Sequence, residues 1–439
     1  MLALLVARLD DLLASAVTVS HRRPLLALAL LGVLAQFGLF APLNAAATDL
    51  ASPATATAPR APPHGTDSAA DLTGEVETAP SSFVLGGWAT AYGQWNFNRP
   101  SNGITHARGF DNRHANLTLS EVAFDAQWLD QGLSGRITLQ AGATSATYYL
   151  AEPAASGAAY TNGSDASLWR WVQQAHVGYR AASVGDVQVQ AGLFLSPIGP
   201  EGIAVRDNWN LSRSNAFFGL PFYHTGVRAV LQLGTAWTLT TAAYNGWNSV
   251  VDRDEGKALS AQLTWTQEGK AALSLVYFGS NERDANSTVG PAWRHVLDGH
   301  LTWIVSPRLT VLTHVDAGWE QHRLGHHSWQ AAALYARCKI VDALTAAVRL
   351  DGLRESAPVG AAAIFFANDE GPVPWVGSAT ATLDFRPHHR LSIKLEWRHD
   401  EAGAALFFGR TVAGDGVSKP WVPDRRGQTT ATVAMTSWF

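Results

Sequence analysis

Near its C-terminus the chain reads Leu391-Ser392-Ile393-Lys394-Leu395-Glu396-Trp397-Arg398, in which apolar residues alternate with polar or charged ones. Only a β-strand sorts this pattern onto two faces, because successive side chains of a strand point to opposite sides of the sheet. The segment therefore predicts a strand with one apolar face and one charged face.

The same alternation recurs along most of the chain after residue 80. We count sixteen candidate strands, beginning near Phe83, Asn116, Arg136, Trp169, Val187, Thr225, Trp237, Ala258, Ala271, His295, Leu309, Trp329, Leu344, Val376, Leu391 and Thr429. Links after even-numbered strands are short, whereas odd-numbered strands are followed by longer loops, such as 196–223, 355–374 and 400–428. Short turns on one side, long loops on the other and an even strand number are typical of an antiparallel outer-membrane β-barrel.

Composition supports a membrane barrel and excludes several other classes of protein. The 439 residues include 47% hydrophobic but only 15% charged residues, against roughly 25% charged residues in ordinary soluble domains. A formal net charge of -4 lacks the basic footprint of a nucleic-acid-binding protein. Cys338 is the only cysteine, so it forms no disulfide within the chain and no thiolate metal cluster.

The N-terminal region predicts export. His21, Arg22 and Arg23 precede an apolar stretch that ends at Ala45-Ala46-Ala47, a pattern that signal peptidase accepts. We expect residues 1–47 to be a signal peptide with an upstream extension, a retained membrane helix being the alternative. Residues 48–80, rich in Ala, Pro and Thr, predict a periplasmic linker, and residues 81–439 predict the barrel.

Aromatic residues cluster at the ends of the predicted strands. Trp237, Trp265, Trp303 and Phe439 fall at the periplasmic ends, and the outer ends carry Trp247, Trp319, Trp329 and Trp397. Amphipathic rings prefer the headgroup level of a bilayer. The distribution predicts two aromatic girdles.

Five segments carry a resemblance to a known family: Trp95-Asn96-Phe97-Asn98-Arg99-Pro100-Ser101-Asn102-Gly103, Arg108-Gly109-Phe110-Asp111, Asp207-Asn208-Trp209-Asn210-Leu211-Ser212-Arg213-Ser214, Pro221-Phe222-Tyr223-His224-Thr225-Gly226-Val227-Arg228 and Tyr244-Asn245-Gly246-Trp247-Asn248. Together they resemble the OmpL-like β-barrel porins, from about residue 83 to the C-terminus. After residue 290 mainly the strand rhythm and the terminal Phe439 carry the similarity. The resemblance implies a diffusion channel in the bacterial outer membrane, in contact with its lipid, and leaves the solute open.

If the apolar faces meet lipid, the opposite faces point into the lumen. The inner wall would then carry Arg228, Asp298, His300, His314, Asp316, Arg349, Asp351, Asp384, Lys394, Glu396 and Arg398. Positive and negative residues occur in similar number, which predicts weak ion selectivity. The alternative is that these residues form ion pairs that cross-link the inner wall.

The loop at 196–223 follows the fifth strand, where many sixteen-stranded porins fold a loop inward. It is dense in charged, amide and turn residues, which suit an ordered constriction. We expect Glu201, Arg206, Asp207 and Arg213 to border the narrowest point. The alternative is that they pair with one another and brace the loop.

Two other groups of residues have ligands for metal ions. Asp252, Asp254 and Glu255 beside Gly256 resemble part of a calcium loop but lack the later Glu that chelation needs. His322, His326 and His327 offer imidazoles, although an exposed polar loop tip is the simpler interpretation. We therefore expect no metal site and no cofactor.

The sequence favours a passive channel for small hydrophilic solutes over two other functions. A barrel hydrolase, either a phospholipase or a protease, would use Ser212 and His224, but no triad spacing supports it. A substrate-specific sugar or fatty-acid transporter is the other alternative. We expect no enzymatic activity and no nucleic-acid partner, and a homo-oligomer remains open. Phe439 ends a strand that resembles the signal read by the barrel-assembly machinery.

Overall fold

A computed structural model describes residues 81–153, 164–181, 187–252, 256–283, 287 and 289–439. Over these residues the chain forms a closed antiparallel barrel of sixteen strands. The strands are β1 (Ser82–Asn96), β2 (Asn116–Asp130), β3 (Leu133–Ala141), β4 (Val172–Ala181), β5 (Val187–Leu195), β6 (Tyr223–Leu233), β7 (Trp237–Tyr244), β8 (Ala258–Gln267), β9 (Ala271–Asn281), β10 (Trp293–Ile304), β11 (Leu309–His322), β12 (Gly325–Val341), β13 (Leu344–Ser356), β14 (Trp375–His388), β15 (Leu391–Ala402) and β16 (Gly427–Trp438). The signal peptide and linker predicted at 1–47 and 48–80 lie outside the described residues.

Each strand pairs with its neighbours in sequence, and β16 closes the barrel by pairing antiparallel with β1. The predicted strand number is confirmed, and most strands begin close to the predicted residues. Two differ: Trp169 ends a helix rather than beginning β4, and Trp329 lies within β12.

Short helices occur in the loops on one side of the barrel. They are α1 (Ala143–Tyr148) and α2 (Ala166–Trp169) between β3 and β4, and α3 (Asn215–Phe218) between β5 and β6. A 3₁₀ turn (Val205–Asp207) precedes α3, and a two-residue hairpin pairs Ala367–Asn368 with Gly371–Pro372. No helix in the described ranges is long and apolar enough to cross a membrane.

The alternation in β15 corresponds to an outer and an inner face. Leu395 and Trp397 are each 51% exposed, whereas Lys394, Glu396 and Arg398 are at most 2% exposed. Outward apolar residues recur on other strands and form the band that meets lipid. They include Leu259, Leu275, Leu297, Val315, Val348, Leu383, Val433 and Met435.

The turn between β2 and β3 shows how the short links are made. Gln131 and Gly132 have φ angles of 45° and 86°, the left-handed pair that a two-residue hairpin turn requires. Glycine adopts this conformation without steric cost. Such tight turns fix the register of the strands they join.

The interior contains apolar clusters as well as polar residues. In one cluster Trp329 is fully buried and packs with Phe365 and the edge of Trp247. Gly318 on the neighbouring strand leaves space for the Trp329 ring, because a Cβ there would lie 2.0 Å from it. The girdle prediction is therefore wrong for Trp329 and Trp247, which the long loops cover from inside.

The other predicted girdle residues differ in their surroundings. Trp303, Trp397 and Phe439 are exposed, as a girdle residue would be. Trp319 stacks on His295, and Trp237 contacts Trp265 across β7 and β8. Position at a strand end thus does not by itself identify a girdle residue.

Candidate functional site

The loop between β5 and β6, residues 196–222, folds into the barrel and is called here the inward loop. Its polar contacts reach across the lumen to β13, β14 and β15. Apolar contacts support it as well, since Trp209 and Ala216 pack on the inner-wall residues Leu312, Tyr335 and Leu353. The lumen is therefore narrowed by a segment that is bonded to its wall.

Glu396 on β15 holds the middle of the inward loop. Its carboxylate accepts hydrogen bonds from the backbone N–H of Leu211 at 2.6 Å and of Ser212 at 3.0 Å. The Thr382 hydroxyl donates a third bond, at 2.7 Å. Hydrogen bonds to an ionised acceptor are stronger than neutral ones, so this contact is a principal anchor.

Lys394 and Arg398, two positions to either side on the same face, hold the flanking parts of the loop. The Lys394 ammonium donates to the carbonyl oxygens of Val205, at 3.0 Å, and of Asn208. Arg398 donates to the carbonyl oxygen of Arg213. Three consecutive inward residues of one strand therefore bind the loop in chain order.

A second set of anchors lies on β13. Arg349 donates to the Ser212 carbonyl oxygen at 2.6 Å and to the carboxylates of Glu201 and Asp351 at 3.0 and 2.8 Å. Asp351 accepts a bond from the backbone N–H of Asn215 at 2.7 Å. These side chains are buried, and the one guanidinium pairs with both carboxylates.

The predicted constriction residues Glu201 and Arg213 lie within the loop's own bonds. Arg213 is 2% exposed and donates to the carbonyl oxygens of Gly202 and Leu211, each at 2.8 Å. Glu201 accepts from the Ser214 N–H at 2.9 Å. This geometry favours the bracing role for both residues.

Arg206 and Asp207 differ from Glu201 and Arg213, because their side chains keep 24% and 27% of their surface exposed. They lie 3.4 Å apart, and the Arg206 guanidinium is 4.3 Å from the centre of the Trp88 ring on β1. Burial raises the pKa of the Asp207 carboxyl above its ordinary value, and the neighbouring Arg206 opposes the rise. Arg136, 24% exposed, pairs with Asp125 at 2.9 Å on the nearby wall. Charges of both signs therefore lie where water reaches.

All the lumen residues predicted from alternation lie on the inner face and are buried. Asp384 is in contact with Arg386 at 2.9 Å, and Arg228 donates to Gln190 at 2.6 Å. Asp298, His300, His314 and Asp316 form one cluster on β10 and β11. Lys394, Glu396, Arg398, Arg349 and Asp351 lie beneath the inward loop, an arrangement that favours the cross-linking alternative for these five.

Sequence reasoning missed the role of Arg108 and Asp111, which occur in the β1–β2 loop. Arg108 contacts Asp111 at 2.5 Å and Asp400 of β15 at 2.9 Å. Burial raises the pKa of Asp111, and the Arg108 guanidinium opposes this rise. The density of polar residues in this segment indicated a polar role, but the sequence did not show that Arg108 pairs with Asp400.

The two groups of metal-ligand candidates also have definite places. His322 and His327 are buried, with His327 Nε2 at 2.7 Å from Glu355, whereas His326 is exposed. The prediction of an exposed loop tip is therefore confirmed for His326 and wrong for His322 and His327. Of the calcium-loop fragment, Asp254 and Glu255 lie outside the described residues, and Asp252 pairs with Lys257.

Ser212 and His224, the candidates for hydrolysis, bond to other groups. The Ser212 hydroxyl contacts Arg349 and Arg398 at 3.3 and 3.1 Å. His224 contacts the Gly246 carbonyl oxygen at 3.0 Å and Ser196 at 3.2 Å. Among the described residues the serine that His224 contacts is Ser196, so the predicted pairing of Ser212 with His224 is not formed.

A cavity of ≈ 620 Å³ lies on the long-loop side of the barrel. Its lining includes aromatic and cationic side chains, among them Phe218, Phe222, Trp247, Phe365, Arg283 and Arg294. Both of these arginines pair with Glu320, at 2.8 and 2.5 Å. This mouth cavity combines apolar ring faces with polar groups.

A family model and solved outer-membrane barrels match the chain. The family described as "Putative beta-barrel porin-2, OmpL-like" matches residues 82–439. No curated protein sequence matches the chain. An anion-selective porin from Comamonas acidovorans is similar in structure, with 12% identity, a TM-score of 0.50 and coverage of 82% of this chain and 100% of that one.

A second solved structure is the trimer form of in-vitro folded OmpT, an outer membrane protein of Vibrio cholerae. It has 7% identity, a TM-score of 0.51 and coverage of 82% of this chain and 100% of that one. At these identities the two structures establish the shared barrel fold. Family and fold together assign the barrel to the outer membrane, and the chain belongs to the OmpL-like family of β-barrel porins.

Proposed function

We propose that the protein is a passive diffusion channel for small hydrophilic solutes, narrowed by the inward loop. The observation that carries this proposal is the contrast in exposure along the loop. Its anchoring residue Arg213 is 2% exposed, whereas the side chains of Arg206 and Asp207 keep 24% and 27%. Water therefore reaches these two residues at a level where the loop is fixed, and they border the constriction.

The proposed channel has weak ion selectivity. Arg206 and Asp207 are adjacent and opposite in charge, and Arg136 and Asp125 form a similar pair on the nearby wall. A ring of one sign selects ions of the opposite sign, whereas a mixed lining leaves little net preference. Removing a single charge should therefore shift the preference of the channel for cations or anions.

Single-charge variants test the constriction in planar bilayers under a salt gradient. We expect Arg206→Gln to shift the reversal potential toward cation preference and Asp207→Asn to shift it toward anion preference. Arg410→Gln, which removes an exposed charge from the loop between β15 and β16, is the matched control and should leave the potential unchanged. Unaltered potentials in both pore variants would exclude these residues from the conduction path.

Liposome swelling with sugars of graded size tests passive diffusion itself. Swelling rates should fall smoothly with solute size and show no saturation.

We propose further that the protein is not an enzyme, a proposal supported by the Ser212 and His224 contacts. Esterase and protease assays on the purified barrel should give no activity above that of the detergent alone.

A substrate-specific channel is the second candidate, and the mouth cavity favours it. Aromatic faces stack on sugar rings and pack on acyl chains, while Arg283 and Arg294 supply hydrogen-bond donors. In that case a sugar or fatty acid would block ion current in a saturable manner. An ion current whose block rises linearly with solute concentration, without saturation, would favour simple diffusion.

Three further features are part of the proposal. The trimer form of OmpT supports a homo-oligomer here, which native mass spectrometry in detergent would count. The exposed terminal Phe439 would be read by the assembly machinery, so Phe439→Ala should slow insertion. Residues 1–47 would be removed on export, leaving 48–80 as a linker, which N-terminal sequencing of the mature protein would test.

A further inference from the structure

Four ligand-bearing residues face one another on the inner surface of two neighbouring strands. Asp298 and His300 lie on β10, and Asp316 and His314 lie on β11. The register places Asp298 opposite Asp316 and His300 opposite His314. The sequence alternation assigned these residues to the inner face, but only the register brings all four together.

Three of the side chains converge through His314. Its Nε2 atom lies 2.6 Å from Asp298 Oδ2 and 3.0 Å from Asp316 Oδ1. The side chains of Asp298 and Asp316 are fully buried, and that of His314 is 1% exposed. One ligand atom from each residue lies within 4.8 Å of the others.

The cluster by itself leaves buried polar atoms without partners. Asp298 Oδ1 and Asp316 Oδ2 are buried without a hydrogen-bond partner in the part of the chain that the structure describes. One imidazole nitrogen carries at most one hydrogen, so His314 Nε2 cannot donate fully to both carboxylates. Like charges directly opposite each other on paired strands are destabilising. A cation placed between the carboxylates would remove each of these difficulties.

We propose that Asp298, His314 and Asp316 bind a divalent cation of the zinc type, with His300 as the fourth ligand. The His300 Nδ1 atom is buried, lies 3.5 Å from Asp298 Oδ1 and has no hydrogen-bond partner among the described residues. Two imidazoles and two carboxylates make a tetrahedral set for Zn²⁺, with bonds of about 2.0–2.2 Å. Mg²⁺ and Ca²⁺ prefer oxygen ligands alone, so this donor set disfavours them.

The surrounding residues make this a closed, structural site. Gly199 of the inward loop lies over His314, since a Cβ at this position would lie 3.5 Å from His314 Cε1. On the flanking strand, the small residues Ala331 and Ala333 pair with Asp316 and His314. The ion would therefore enter during folding and then join β10 to β11 beneath the start of the loop.

The test uses the complete barrel, refolded in detergent either with ZnCl₂ or with EDTA and then desalted. Elemental analysis of the zinc-refolded wild type should give about one zinc ion per barrel. The double variant Asp298→Asn/Asp316→Asn and the variant His314→Gln should each lose it. The controls His326→Gln and His399→Gln, which alter exposed histidines outside the cluster, should retain it.

X-ray absorption at the zinc edge of the wild type keeps the test decisive if a variant fails to fold. The proposal expects a first shell of nitrogen and oxygen that includes two imidazoles. A wild-type barrel that holds no zinc after desalting would overturn it. So would zinc that persists in the folded Asp298→Asn/Asp316→Asn variant, or a first shell without imidazole.

Discussion

Glu396→Gln is the substitution that best tests whether the inward loop is held by β15. The carboxylate accepts the backbone N–H groups of Leu211 and Ser212 at 2.6 and 3.0 Å. The amide is almost the same size, so the substitution removes charge without opening a cavity. It also turns one acceptor into an NH₂ group that faces a backbone donor.

The size of the effect follows from these contacts. A hydrogen bond to a charged group contributes about 1.5–3 kcal/mol, and an unsatisfied buried donor costs about 1–3 kcal/mol. Since the amide oxygen retains one neutral bond, we expect a net loss of roughly 2–4 kcal/mol from the free energy that holds the loop. At about 1.4 kcal/mol per factor of ten, the displaced population should rise roughly 30- to 700-fold.

Two measurements report this displaced population. Single-channel recordings should show more frequent excursions to larger conductance, because the loop leaves the lumen more often. Limited trypsin digestion should cleave the loop faster, since cleavage follows the open population when opening and closing are rapid. Both effects should appear while the barrel itself stays folded.

Glu401→Gln is the matched control. Glu401 lies on the same strand, but its side chain is 51% exposed and faces His399 at 3.6 Å. If the Glu396 variant matched both this control and the wild type in conductance and cleavage rate, Glu396 would not hold the loop.

Three further predictions address the constriction, the interior and the lipid face. Lowering the pH from about 8 to about 4 should shift wild-type selectivity toward anions, because Asp207 has a raised pKa and becomes neutral at a higher pH than an ordinary carboxyl of pKa roughly 3.9. In Asp207→Asn the shift should shrink, and an unchanged titration would show that other groups cause it. Gly318→Ala would force a Cβ into the Trp329 ring and should lower the free energy of unfolding by about 1–3 kcal/mol. Heat-modifiable electrophoresis should show a lower unfolding temperature, and an unchanged temperature would mean that the ring moves freely. Leu395→Arg places a charge on the lipid face and should lower the free energy of unfolding by roughly 2–4 kcal/mol. Urea unfolding from lipid vesicles measures this loss, and a variant as stable as the wild type would contradict a lipid-facing position.

The sequence predicts which face of a strand a residue occupies, but not what packs on that face. Alternation assigned Lys394, Glu396 and Arg398 correctly to the interior. That a loop covers them could not be read from the chain, because these contacts join residues 184 or more positions apart. Local periodicity contains no information about such long-range pairs.

The residues of the inward loop and of the interior show the same limit. Length and polar density identified the loop, yet only side-chain exposure separates Arg206 and Asp207 from the braced Glu201 and Arg213. Trp329 matches the girdle pattern by position, but its ring points inward over Gly318. A tryptophan at the end of a strand satisfies either environment, since both offer apolar contact.

The attachment of the loop to β15 makes the bore of this barrel depend on a strand near the end of the chain. Val205 precedes its partner Lys394 by 189 positions, so the narrowing segment is secured by a part of the chain far from it in sequence. Contacts of such long sequence separation form late in folding. The strand that secures the loop also pairs with β16, which seals the ring against β1. Sealing the wall and setting the width of the passage are therefore coupled, so that an unfinished chain has neither.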